Sequence, residues 1–162
     1  MASGNTLFSV APHGNQPPAA NGATLDTLNS SLAISFVNGS QTYAIFGGVL
    51  SRNYTSGGIT LRIMWTSSAG AGNVVWTGQF ERHQSGVDDL SGDSYAAAVS
   101  TTVAVPGANL VAYTDIAFTN GAEIDGLLVG ESFRLRISRN GSSGSDTATA
   151  AALLFRAELR ET

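Results

Sequence analysis

Two segments alternate apolar and polar residues with a period of two, and this restricts the fold more than any other feature. Ile59, Leu61, Ile63 and Trp65 alternate with Thr60, Arg62, Met64 and Thr66; Phe133, Leu135 and Ile137 alternate with Arg134, Arg136 and Ser138. Successive side chains of a strand point to opposite faces, so this pattern makes one apolar face and one polar face. A helix would scatter the same residues around its circumference. A third segment behaves alike: Val74, Trp76, Gly78 and Phe80 share one face, and Thr77, Gln79, Glu81 and His83 the other. Trp65 and Trp76 fall on the inward parity of their strands and are expected at the heart of the core.

Five further apolar runs lie at Leu32–Val37, Gln41–Phe46, Tyr95–Val105, Leu110–Phe118 and Thr147–Arg160. Asn38-Gly39, Pro106-Gly107, Asn120-Gly121 and Asn140-Gly141 punctuate them. Asn-Gly suits a two-residue hairpin turn, so Leu32–Val37 and Gln41–Phe46 are expected to pair as a hairpin. The alanines of Thr147–Arg160 fit a helix, but Arg156, Glu158 and Arg160 alternate, and the run is assigned as a strand with Ala151, Leu153, Phe155, Ala157 and Leu159 inward. Ala122 to Leu128 fits one helical turn. The expectation is an all-β jelly-roll or β-sandwich of about eight antiparallel strands over residues 31–162.

Residues 1–30 read differently. Three of the four prolines lie between Ala11 and Gly22, where neither a helix nor a central strand is accommodated. This stretch is expected to form an extended N-terminal arm, with Leu7, Phe8 and Val10 as anchors onto a neighbouring subunit.

Composition removes several function classes. The chain has 162 residues, enough for one domain, and no cysteine, which excludes disulfides and thiolate metal sites. Lys+Arg number 8 against Asp+Glu 12, and every basic residue is arginine. A net acidic chain without a basic patch is a poor nucleic-acid binder, because such binding rests on neutralising phosphates, and no nucleic-acid partner is expected. The longest apolar run, Ala150 to Phe155, is far shorter than the ~20 residues that cross a bilayer, and MASGNTLFSV lacks the pattern of a signal peptide. No membrane role is expected.

Chemistry is sparse. His13 and His83 are the only histidines, Gly-x-Ser-x-Gly is absent, and a phosphate loop would need a lysine. No catalytic residue and no cofactor is expected. Asp88, Asp89 and Asp93 could offer oxygen ligands to a hard cation, although their spacing is not that of an EF-hand; a solvated turn is the plainer reading. Arg134 and Arg136 share an outer strand face, and Arg62 is expected to join them in a docking stripe. Tyr43, Tyr54, Tyr95 and Tyr113 are the aromatic residues available to stack on a sugar.

Several segments together carry a resemblance. They are Gly58–Trp65, Val74–Arg82, Asp93-Ser-Tyr-Ala-Ala97, Ile116–Asn120, Asp125–Arg139 and Arg156–Glu161. In these the chain resembles small jelly-roll proteins of tailed-phage structural gene clusters over residues 30–162. The resemblance implies a virion component, most like a head decoration (cement) protein. Such a protein would sit as a homotrimer on the outer capsid surface, bound to the major capsid protein and stabilising its lattice. Leu7, Phe8, Val10, Arg62, Arg134 and Arg136 would then supply the interface. The alternative is a tail-associated β-sandwich that binds a glycan receptor, and an enzyme acting on polysaccharide ranks below both.

Overall fold

The computed structural model describes residues 4–162. Among them are ten strands: β1 (Thr6–Val10), β2 (Thr24–Leu28), β3 (Ser31–Phe36), β4 (Gln41–Val49), β5 (Ile59–Ser67), β6 (Asn73–His83), β7 (Val99–Ala104), β8 (Ala112–Phe118), β9 (Ser132–Asn140) and β10 (Ala152–Glu161). They form two antiparallel sheets packed as a jelly-roll β-sandwich, as the alternation requires. One sheet runs β2-β3-β10-β5-β8, with β1 also on β10; the other runs β4-β9-β6-β7. A strand has two edges, and β5 takes the whole of one edge of β10. β3 and β1 therefore share the other, β3 against Ala152–Leu154 and β1 against Ala157–Arg160.

The core lies between the sheets. Trp65 and Trp76 are fully buried and meet edge to face with ring centroids 5.7 Å apart. Phe36 packs on Trp76 at 5.1 Å, and Phe80 on Phe118 at 5.0 Å. The Trp65 indole N–H donates to Thr114 Oγ1 at 2.8 Å, so this polar handle is satisfied in an apolar setting.

Four expectations need correction. First, residues 4–30 form no free arm. Leu7 and Val10 are buried in the chain's own core, and the Phe8 ring meets Phe133 at 5.4 Å. The stretch from Asn15 to Ala23 lies along the free edge of β4. The Gln16 and Ala23 amides donate to the Ile45 and Tyr43 carbonyls, and the Tyr43 amide donates to the Asn21 carbonyl. The Ile45 amide donates to Asn15 Oδ1 at 3.0 Å. An open edge invites pairing with other chains, and here the N-terminal segment blocks it. Its apolar anchors are used within the molecule, so the boundary at residue 30 divides nothing.

Second, β3 and β4 are not a hairpin, because they lie in different sheets and Asn38-Gly39 carries the chain across the core. A type I′ turn needs positive φ at both central residues, and of this pair only Gly39 has it (φ 77°). The hairpin turn of that kind is Asn29-Ser30, with φ 48° and 63°, joining β2 to β3. Third, a β-bulge between Leu154 and Arg156 breaks the alternation of β10. Ala152 and Leu154 point inward before it, Ala157 and Leu159 after it. Fourth, the strand expected from Tyr95 begins only at Val99. The helical turn expected within Ala122–Leu128 is present, as a 3₁₀ turn of Ala122–Ile124 closed by left-handed Asp125.

Candidate functional site on the outer face of the four-stranded sheet

Registers on either side of β9 set the site. Arg134 stands between Gly47 of β4 and Glu81 of β6; Arg136 stands between Ile45 and Gln79; Ser138 stands between Tyr43 and Thr77. These residues share the outward parity, in rows about 7 Å apart. The inward residues of the same strands, Phe80, Phe133 and Leu135, hold the sheet against the core.

The Arg134 guanidinium pairs bidentately with Glu81: Nε donates to Oε2 at 3.0 Å and Nη2 to Oε1 at 2.7 Å. Glu81 is buried although it faces outward, because the loop between β6 and β7 folds back over the sheet. Arg136 has a different partner. Its Nε and Nη2 both donate to Gln79 Oε1, at 3.1 and 2.8 Å, while Gln79 Nε2 donates to the Ala96 carbonyl at 3.0 Å. Two tyrosines flank Arg136, with its Cζ 3.9 Å from the Tyr95 ring centroid and 5.0 Å from that of Tyr43. Burial pushes the Tyr95 phenol up to about 12, so it stays protonated at neutral pH. Its buried Oη has no partner among the described residues.

The loop of residues 84–98 is long for one without regular structure, a trait usually linked to function. Gln84 begins it with a turn in which its carbonyl accepts from the Val87 and Asp88 amides; the Ala96 amide bonds the Phe80 carbonyl near its end. Between these anchors, Asp93 reaches both arginines. Its Oδ1 lies 3.2 Å from Arg134 Nη2 and its Oδ2 lies 3.8 Å from Arg136 Nη1. Beside Arg134 opens a groove of about 470 Å³, lined by Gly47, Val49, His83, Leu90 and Ser132 among others. Half-buried planar donors, two aromatic rings and a groove thus lie on one sheet face.

The other sequence-derived residues fall elsewhere. Arg62 does not join Arg134 and Arg136: β5 belongs to the opposite sheet, so its outward face is on the far side of the sandwich. There Arg62 lies 3.5 Å from Asp115 and over the exposed Tyr113 ring at 5.1 Å. Leu7, Phe8 and Val10 serve the core. Asp88 accepts from the Gln84 amide and Asp89 from the Ser91 amide, which holds the Asp89 carboxyl below its ordinary range. With Asp93 on the arginines, the three do not converge, and no cluster of metal-ligating side chains occurs among the described residues. Tyr54 is buried and bonds Gly57 and Asn120. Of the four tyrosines, only Tyr43 and Tyr95 come together. Gln79 and Glu81 were legible as outward-facing, but only the β6–β9 register brings them onto Arg136 and Arg134.

No protein-family model matches the chain, and no curated protein matches it. Solved structures do match in fold. The CBM22-1 xylan-binding domain of Xyn10C from Paenibacillus barcinonensis aligns with a TM-score of 0.55 and 14% identity, covering 99% of this chain and 97% of that one. The carbohydrate-binding module CBM6cm-2 of Cellvibrio mixtus lichenase 5A, in complex with cellotriose, aligns with a TM-score of 0.57 and 12% identity, covering 98% and 99%. The CBM22-2 xylan-binding domain of the same Xyn10C gives 0.54 and 15%, covering 96% and 99%. At these identities the likeness is one of fold.

Proposed function

We propose that the chain is a non-catalytic glycan-binding β-sandwich that holds a saccharide across the outer face of β4, β9 and β6. The observation that carries this reading is the convergence of Tyr43 and Tyr95 on Arg136, beside Gln79, Arg134 and the groove. A sugar ring offers an apolar C–H face and a rim of hydroxyls. Aromatic rings meet the face, and planar amide and guanidinium groups meet adjacent hydroxyls in pairs. The shared fold with xylan-binding and cellotriose-bound modules supports the reading.

The test is calorimetric titration of the intact protein with a panel of neutral and acidic polysaccharides, alongside Arg136→Ala and Tyr95→Ala. At least one polysaccharide is expected to bind, with at least tenfold loss in each variant. A folded protein that binds none of the panel refutes the reading.

A second reading, as a phage head decoration protein, has its own support in the jelly-roll resemblance of residues 30–162. Under it the partners are the major capsid protein and two further copies of this chain, on the outer capsid surface. Its test is the copy number per virion relative to the major capsid protein, by quantitative mass spectrometry of purified particles. Near parity supports decoration, and absence from particles ends that reading.

A further inference from the structure

We infer that the saccharide bound at this face carries carboxylates, and that Asp93 holds the place of one: a uronic-acid carboxylate displaces Asp93 and pairs with Arg134 and Arg136. This rests on the glycan-binding reading. Each oxygen of Asp93 faces a different guanidinium, at 3.2 and 3.8 Å, so two arginines frame a position the size and shape of one carboxylate. Neither contact is short. The Asp93 side chain is 59% exposed, whereas Glu81, the other carboxylate on this face, is 1% exposed and bound bidentately. Glu81 is thus fixed and Asp93 is exchangeable.

Charge points the same way. Arg134 is neutralised by Glu81. Arg136 spends two donors on one neutral amide oxygen and, among the described residues, has no carboxylate within hydrogen-bonding distance. Its Nη1 hydrogens are therefore available to an acceptor that comes closer than Asp93. A guanidinium binds a planar carboxylate better than it binds hydroxyls, because charge strengthens each hydrogen bond and the fork fits both oxygens. The Tyr95 ring lies over both guanidinium groups, its centroid 3.9 Å from Arg136 Cζ and 5.5 Å from Arg134 Cζ, and so borders the same position.

The loop permits the exchange. Asp88 closes a turn on Gln84, Asp89 one on Ser91, and Ala96 is pinned to Phe80. Asp93 lies between the Asp89–Ser91 turn and the Ala96 anchor and bonds the sheet through its carboxylate, so that bond can break without unmaking any of the three anchors.

The experiment compares polygalacturonate, alginate and glucuronoxylan with carboxyl-reduced forms of the same polymers, and includes dextran sulfate and a neutral xylan. Calorimetry is run on the intact protein and on Asp93→Asn. A uronate polymer is expected to bind at least tenfold tighter than its reduced form. Asp93→Asn removes the competing carboxylate and is expected to bind it about two- to fivefold tighter, the size of an exposed ion pair. Equal binding of reduced and native polymers, preference for dextran sulfate, or weaker binding by Asp93→Asn overturns the carboxylate inference and leaves the glycan-binding reading standing. Binding of nothing in the panel refutes both. Asp93 is exposed, and unchanged thermal unfolding of the variant confirms that it folds.

Discussion

Replacing Asp146 with Asn is expected to destabilise the fold by about 3–5 kcal/mol, the cost of leaving one member of a buried ion pair without its partner. Arg139 is the last inward residue of β9 and is fully buried, and the Asp146 side chain is only 1% exposed. Its guanidinium uses every donor. Nε and Nη2 bind the Asp146 carboxylate, with the shortest contact 2.6 Å; Nη2 also donates to the Ala148 carbonyl, and Nη1 to those of Ala150 and Phe36. Asp146 in turn accepts from the Val75 amide at 3.0 Å. The pair thereby ties the segment before β10 to β3, β6 and β9. Asparagine keeps the shape of Asp146 but leaves the guanidinium charge uncompensated. For a chain of this size each kcal/mol moves the melting temperature by about 2–4 °C, so a fall of roughly 6–20 °C is expected by calorimetry. Replacing both residues, Arg139→Met with Asp146→Leu, removes the charge penalty. It also strips partners from the carbonyls and from the Val75 amide, each a loss of about 1–3 kcal/mol. The double variant is therefore expected to remain less stable than the parent, unlike many buried pairs that exchange neutrally for apolar residues. An Asp146→Asn protein within about 1 kcal/mol of the parent would refute this account.

Removing residues 1–10 deletes β1 and the burial of Leu7 and Val10, and should lower unfolding stability by about 3–6 kcal/mol; unchanged urea unfolding would mean the segment is a dispensable arm after all. Ser30→Gly relieves a left-handed φ of 63° at the β2–β3 turn and should stabilise by about 0.5 kcal/mol, measured by urea midpoint; destabilisation would disprove the strained-turn reading. Glu161 accepts from the Thr55 hydroxyl and from the Thr55 and Gly57 amides, and these bonds hold its carboxyl below the ordinary 4.5. A depressed pKa contributes stability above the ordinary value that is lost as pH falls through the folded one. Glu161→Gln should accordingly flatten the acid limb of the melting temperature below pH 4.5, and a parallel limb would count against the clamp.

Parity along single strands was legible in the sequence. Trp65, Trp76, Phe80, Phe133, Leu135 and Ile137 all point inward as their spacing requires. Which strands become neighbours was not legible, because alternation fixes a face and not a partner. This is why parity alone groups Arg62 with Arg134 and Arg136, and why adjacency and Asn38-Gly39 alone pair Leu32–Val37 with Gln41–Phe46. β1 and β2 carry no sequence signal for a different reason. They are only five residues each, they flank a proline-rich stretch, and the whole of β2 except Leu28 is exposed, so no apolar face marks it. The bulge in β10 inserts one residue, which no periodicity anticipates.

The absence of lysine acquires a physical meaning from the pairs themselves. Arg82 with Glu131, Arg134 with Glu81 and Arg139 with Asp146 each set two guanidinium nitrogens on one carboxylate. An ammonium is a point charge and cannot reproduce that fork. Two of the three pairs bridge residues about fifty positions apart, and all three join a strand to a different part of the chain, so in these pairs arginine is a structural fastener. Against that pattern Arg136 stands out on its sheet. It lies between two aromatic rings, with a side-chain exposure of 21%, and its nearest carboxylate is Asp93, 3.8 Å away on a loop. In a molecule that fastens its other half-buried arginines of this sheet with bidentate carboxylates, an arginine left without one is the natural place for a carboxylate that arrives with a ligand.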